Sequence, residues 1–198
     1  MSASTTTRAR RRGRPPAASR EDVVVVALNT YLHGERIDVQ AVAVELGLGR
    51  TTIYRWFGSR EGLVAEVVLR AAEPLFAEAR ANARGRGGPA LLDTFDRINR
   101  GLAEAPALRR FLENERDALR ILTSSSGNVH SRMVEKVRSY IEEETGRGFT
   151  PPVEPPTLAY AIVRLAESFL YNDATTTVRG DVDRLREIEA ALLGIRPA

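Results

Sequence analysis

Residues 38–57 read Asp38-Val-Gln-Ala-Val-Ala-Val-Glu-Leu-Gly-Leu-Gly-Arg-Thr-Thr-Ile-Tyr-Arg-Trp-Phe57. Behind Asp38, a residue suited to capping a helix, Val39, Val42, Ala43 and Leu46 recur at a spacing of three to four. Gly47 can take the left-handed conformation that ends such a helix, so Gly47-Leu48-Gly49 predicts a tight turn. Arg50 to Phe57 then forms a second short helix, with Ile53 and Phe57 turned inward and Arg, Thr and Tyr on exposed positions. Two short helices joined by a glycine turn are the geometry that sets a helix in the DNA major groove. The same pair also occurs in proteins that never touch DNA, so its surroundings have to decide.

Upstream, Ser19 can cap a helix whose first turn holds Glu21 and Asp22 and whose apolar run continues towards Leu32. Val23 to Val26 would suit a strand on propensity alone. The Ser-Arg-Glu-Asp start signal and the helical neighbours predict a helix instead, ended by His33-Gly34-Glu35. Three short helices therefore close a small core up to about residue 58. Residues 1–18 lack apolar periodicity and read as a disordered basic arm. Arg8, Arg10, Arg11, Arg12 and Arg14 fall there with no acid, although the whole chain has a formal net charge of only +3. A positive arm on a slightly acidic body suits local contact with a polyanion. Within the arm, Arg12-Gly13-Arg14-Pro15 fits a narrow minor groove; the other reading is a solubilising tail. Ser19 to Arg60 carries five arginines against five acids, so its DNA affinity has to lean on the arm and on paired subunits.

On the second helix of the pair, Arg50, Thr51, Thr52, Tyr54 and Arg55 are the candidates to meet DNA. Arginine pairs bidentately with guanine, and threonine offers a hydroxyl or methyl to a base edge. Tyrosine and arginine equally clamp phosphate, which positions a helix without reading sequence. Trp56 can bury part of its ring while its indole N–H faces a phosphate. Ser59 and Arg60 open the next helix, where free backbone N–H groups favour an anion.

Downstream, a longer helix begins at Ser59-Arg60-Glu61 and breaks in Arg84-Gly-Arg-Gly-Gly-Pro89. Further helices are predicted at 90–104, 106–123, 126–145, 156–173 and 180–193. The fold class is all-α: a disordered arm (1–18), a three-helix helix-turn-helix domain (19–60) and a larger helical bundle (61–198). The last two helices carry apolar stripes including Leu158, Ile162, Leu165, Phe169, Leu185, Ile188 and Leu192, which predict a homodimer through a four-helix interface; the same stripes would also complete a monomer core. The middle helices offer an apolar cavity for a small amphipathic effector, with Phe95, Leu102, Phe111, Arg116, Met133, Tyr140, Tyr171 and Asn172 as candidate contacts. Other polar residues there include Asn99, Glu115, His130, Arg164 and Glu167.

Enzymatic chemistry has little support. Glu113 and Glu115 diverge on a helix; only His33 and His130 are present, with no cysteine and no metal-ligand spacing, so neither metal nor cofactor is expected. Gly85-Arg-Gly-Gly88 lacks the strand and lysine of a nucleotide loop. The apolar run Val23–Leu28 is too short to span a bilayer and the start lacks a secretory pattern, so no membrane and a cytoplasmic location are expected.

As an ordered set, Val42-Ala43, Leu46-Gly47-Leu48, Thr52-Ile53-Tyr54-Arg55-Trp56-Phe57 and Ser59-Arg60-Glu61-Gly62-Leu63 resemble the TetR-type bacterial transcriptional regulators. The resemblance spans roughly Ser19 to Leu69. It implies a homodimer on double-stranded DNA with an inverted repeat, released when a small ligand enters the C-terminal bundle. It also implies DNA contacts at Thr51 and Tyr54, with Arg60 replacing a usual lysine near phosphate. Gly49 departs from the family's Ser or Thr and loses a cap; Trp56 stands where His or Tyr is common. After residue 75 the arrangement is loosely similar to the branch controlling quorum-signal or lactone degradation. The expected function is a sequence-specific repressor. The alternatives are a DNA-architectural or interaction protein without a ligand, and then a small-molecule carrier or enzyme.

Overall fold

Ser19 starts the first helix with a reciprocal cap: its Oγ accepts the Asp22 N–H at 3.2 Å, and Asp22 Oδ2 accepts the Ser19 N–H at 2.7 Å. A computed structural model describes residues 18–125, 128–172 and 181–195. Helix α1 (Arg20–Leu32) is helical through its valine run because Val23 and Val24 are wholly buried. Burying each such side chain contributes roughly 1.5–3 kcal/mol, more than strand propensity opposes. α2 (Val39–Glu45) begins under Asp38, whose Oδ1 accepts the Gln40 N–H at 2.8 Å. It ends at Gly47 (φ 63°), where the Leu48 N–H reaches the Ala43 carbonyl at 2.9 Å, as the glycine turn predicts. α3 (Arg50–Phe57) comes next, then α4 (Arg60–Ala81), capped by Ser59 Oγ on the Gly62 N–H at 3.0 Å.

Beyond α4 come α5 (Gly88–Glu104), α6 (Pro106–Asn114), α7 (Ala118–Thr123), α8 (Asn128–Gly146), α9 (Pro155–Glu167) and α10 (Val182–Leu192). The described residues contain no strand, and the all-α class holds. Two predicted elements differ. The helix expected over 106–123 is two helices, because Glu115 is extended (φ −99°, ψ 113°) and turns its carboxylate towards Arg60 and Arg36. The helix expected over 156–173 leaves α geometry after Glu167 and widens into a π turn, Ser168–Asn172, which keeps the adjacent Leu170 and Tyr171 both buried.

Two apolar cores meet along α4. The first joins Val23, Ala27, Val42, Ala43, Ile53, Leu63 and Val67 to Leu108, Ile121, Leu122 and Val129 from α6, α7 and α8. It crosses residue 60, so α1–α3 are packed jointly with the later helices and not independently of them. The second gathers Phe76, Leu91, Phe95, Ile141, Leu158, Ile162 and Leu193. Leu102 and Met133 pack on both. The turn between α4 and α5 is fixed by buried Glu144, which accepts from Arg80, Arg147 and the Gly87 N–H. Burial alone would raise that carboxyl's pKa, but these donors hold it below the ordinary value.

Candidate nucleic-acid interface and ligand cavity

Ile53, only 1% exposed, anchors α3 and thereby fixes which of its side chains face outward. Arg50, Thr51 and Arg55 are exposed, while Thr52, Tyr54 and Trp56 are half-buried. Trp56 packs on the first core with Phe57. Gly49 supplies no side-chain cap, as its identity foretold, and the first turn is closed by the Thr52 N–H on the Gly49 carbonyl at 2.9 Å. The Arg50 guanidinium lies 5.9 Å from the Tyr54 ring centre, which stiffens both side chains. Beside them, between α2 and α3, is a cleft of about 140 Å³ lined by Arg36, Asp38, Gln40, Arg50, Tyr54 and Arg60. Three guanidinium groups and a phenol suit a phosphate oxygen. Arg10, Arg11, Arg12 and Arg14 lie outside the described residues.

Arg60 borders this cleft, yet its donors are engaged inward. Its Nε donates to the Ile37 carbonyl at 2.9 Å and its Nη2 to the Glu115 carboxylate. Glu115 is buried and also lies 3.6 Å from Arg36 Nε. One turn earlier on α6, Arg110 Nη1 donates to the His33 carbonyl at 3.0 Å. The end of α6 therefore grips the ends of α1 and α4 and the loop before α2. Sequence reasoning missed Arg36 and Arg110 in this junction, because both look like solvated charges.

The start of α6 borders a cavity. Tyr31 and Leu32 of α1, Leu69, Ala72, Leu75 and Phe76 of α4, Gly101 and Leu102 of α5, Ala105–Leu108, Val129 and Met133 of α8, and Tyr171 enclose about 290 Å³. Tyr31 and Tyr171 are the lining side chains that carry a polar group. Burial pushes the Tyr31 phenol up to about 12 and raises Tyr171 as well, so both remain neutral donors. Of the nominated contacts, Leu102, Met133 and Tyr171 line this space, and Phe95 lines a smaller pocket of about 50 Å³ that adjoins it. Phe111 sits behind Tyr31, ring centres 5.8 Å apart, at the α1–α6 junction. Arg116 is exposed and lines neither space. Tyr140 is buried, but its hydroxyl points to the Phe76 carbonyl at 3.4 Å and its ring faces Arg80. Asn172 falls in the π turn, and its side chain lies outside the described residues.

The smaller pocket ends on polar groups. Asn99 Nδ2 donates to both oxygens of Glu189, at 3.0 and 3.2 Å. Burial pushes the Glu189 carboxyl up to about 7 against that hydrogen bond. Glu167, on the same lining, bonds His130 Nδ1 and Arg164 Nη1, both at 2.8 Å. Glu189 was not singled out from sequence. Its signal was its place in the stripe Leu185, Glu189, Leu192, where an acid interrupts an apolar period.

On the nominated pairing face, Leu158, Ile162 and Leu185 are spent on the protomer's own core. Leu165, Phe169, Ile188 and Leu192 remain half-exposed. Among the described residues, no group of three or more His, Asp and Glu is placed to hold a metal ion, and no helix is long and apolar enough to cross a membrane.

Residues 86–194 match the family model described as the tetracyclin repressor-like C-terminal domain. Among solved structures, the R. erythropolis transcriptional repressor QsdR from the TetR family shares 26% identity at a TM-score of 0.83, covering 90% of this chain and 96% of that one. The TetR family repressor AlkX from Dietzia, implicated in biodegradation of n-alkanes, shares 23% at a TM-score of 0.56, over 89% of this chain and 97% of its own. A TetR-family regulator from Streptomyces coelicolor shares 19% at 0.50, over 89% and 80%. The last two speak to the fold alone. No curated protein sequence matches significantly.

Proposed function

This chain belongs to the tetracyclin repressor-like family, and from that premise we propose that it represses transcription as a homodimer on an inverted-repeat operator. It is a sequence-specific DNA-binding transcriptional regulator and not an enzyme. A small amphipathic ligand in the cavity among α4, α5, α6 and α8 releases it from DNA.

The observation that carries this reading is the outward face of α3 beside an arginine-lined cleft. Arg50, Thr51, Thr52 and Arg55 meet base edges and adjoining phosphates, while Tyr54 and Trp56 border the backbone. The arm residues Arg10, Arg11, Arg12 and Arg14 enter the adjoining minor groove. Arg60 acts chiefly by holding the start of α4 to Ile37 and Glu115. Release originates in α6, whose first turn lines the cavity and whose far end holds His33, Arg36 and Arg60. A ligand that displaces α6 moves both ends together, because packed interiors shift as units.

The test is selection from a randomised duplex pool, together with the chain's own upstream DNA, across several salt concentrations. Enrichment of one inverted repeat is expected, with Arg50→Ala weakening it by about 1–3 kcal/mol and relaxing one base position. Uniform retention that vanishes with salt would reduce the interface to phosphate contact.

A further inference from the structure

The described residues bury four acids: Glu115, Glu144, Glu167 and Glu189. Three of them have a guanidinium partner: Arg60 for Glu115, Arg80 and Arg147 for Glu144, Arg164 for Glu167. Glu189 has none among the described residues. It has no exposed surface, and its two oxygens share a single amide nitrogen from Asn99. A carboxylate offers about four acceptor sites, and burying its charge unpaired is costly. Where the other acids meet an arginine, this one is held by Asn99 alone and borders a small space.

That space is the pocket of about 50 Å³, which adjoins the main cavity across Phe76, Leu102, Met133 and Tyr171, residues that line both. Met133 is an unbranched thioether and yields readily, so one ligand can occupy both volumes. Phe76, Phe95 and Tyr171 bring aromatic rings to the pocket, and no basic side chain lines it. An acid with no hydrogen-bonded base, set among rings at the end of an apolar cavity, is suited to a cation.

We propose that Glu189, seated by Asn99, is the head-group end of the effector site and that the effector is an apolar amine, its ammonium on Glu189 and its hydrocarbon in the main cavity. This rests on the reading of that cavity as the effector site. Ammonium and carboxylate neutralise each other inside the pocket, whereas a fatty-acid anion would face Glu189 with like charge. The groups facing Glu189 are Asp96 and Asn99 from α5, Arg186 on α10 itself, Glu167 on α9 and Tyr171 in the π turn. Because the Glu189 carboxyl titrates near 7, amine binding below that pH displaces its proton to solvent.

The experiment is calorimetry on the full chain with n-hexylammonium, 1-hexanol and hexanoate, each also added to the operator complex. Hexylammonium is expected to bind at least tenfold tighter than hexanol, with hexanoate weakest. Its affinity should fall about tenfold per pH unit below 7, with proton release seen as a dependence on buffer ionisation enthalpy. In Glu189→Gln the ratio of hexylammonium to hexanol affinity should collapse towards one. The wild-type pH profile decides the matter if that variant fails to fold. Hexanol or hexanoate binding as tightly as hexylammonium and releasing DNA would overturn the amine while keeping the effector cavity. If none of the three binds, both the amine and the effector cavity fall.

Discussion

At Gly62 an added Cβ would lie 2.0 Å from the Phe57 carbonyl oxygen, a backbone atom with no freedom to move aside. This glycine lets the end of α3 sit against the first turn of α4, which aims the α3 face. Gly62→Ala is expected to destabilise the fold by about 1–3 kcal/mol, read from urea unfolding, and to weaken operator binding by misplacing α3. A stable, fully binding variant would show that the contact sets nothing. Glu189 gives the second residue-scale outcome. Its folded pKa of about 7 lies above the ordinary value of 4.5, so the native state holds the extra proton between those limits. Its contribution is therefore fully present below about 4.5 and is lost as pH rises through 7. Glu189→Gln stays neutral, so its advantage over the parent should grow across that window to the order of 2 kcal/mol at pH 8. Urea unfolding at pH 5 and 8, at fixed protein concentration, measures it. The outward identity of Arg50, Thr51 and Arg55 was legible in sequence because Ile53 fixes the period. The inward turn of Arg60 was not, since its partner Glu115 lies 55 residues away.

Helices α1 to α4 obey their caps and glycines closely, because Ser19, Asp38, Gly47 and Ser59 act through neighbouring backbone. The α6–α7 break was hidden for the opposite reason. Nothing local in Leu112-Glu-Asn-Glu-Arg116 stops a helix; a long-range ion pair extends Glu115. That makes the end of α6 a strut between cavity and DNA face. Glu115→Gln keeps its shape and removes its charge, freeing Arg60 Nη2 to turn towards the phosphate cleft beside α2 and α3. The slope of log affinity against log salt is expected to steepen by about one. An unchanged slope would mean that Arg60 stays with Ile37 and that the strut does not compete with DNA.

For the molecule as a whole, the balanced charge of residues 19–60 leaves one reader with little long-range attraction for DNA. Two readers fixed at one spacing convert the second contact into an intramolecular one, which is where operator affinity must arise. The proposed pairing face was only half legible. Periodicity marks Leu158, Ile162, Leu185 and Ile188 alike as apolar, and only packing shows that the first three serve the protomer. Leu165, Phe169, Ile188 and Leu192 stay half-exposed on α9, the π turn and α10, Leu192 also packing on the second core. A two-fold interface repeats each residue, so one charge introduced there acts twice. Ile188→Asp is expected to give a folded monomer by sedimentation, with operator affinity reduced about 10²–10⁴-fold. Helical circular dichroism should persist, because Leu185 and Leu193 still hold α10 to the core. A dimeric Ile188→Asp would move the pairing surface elsewhere. A monomer that binds the operator undiminished would instead detach sequence recognition from symmetry, and with it the need for an inverted repeat.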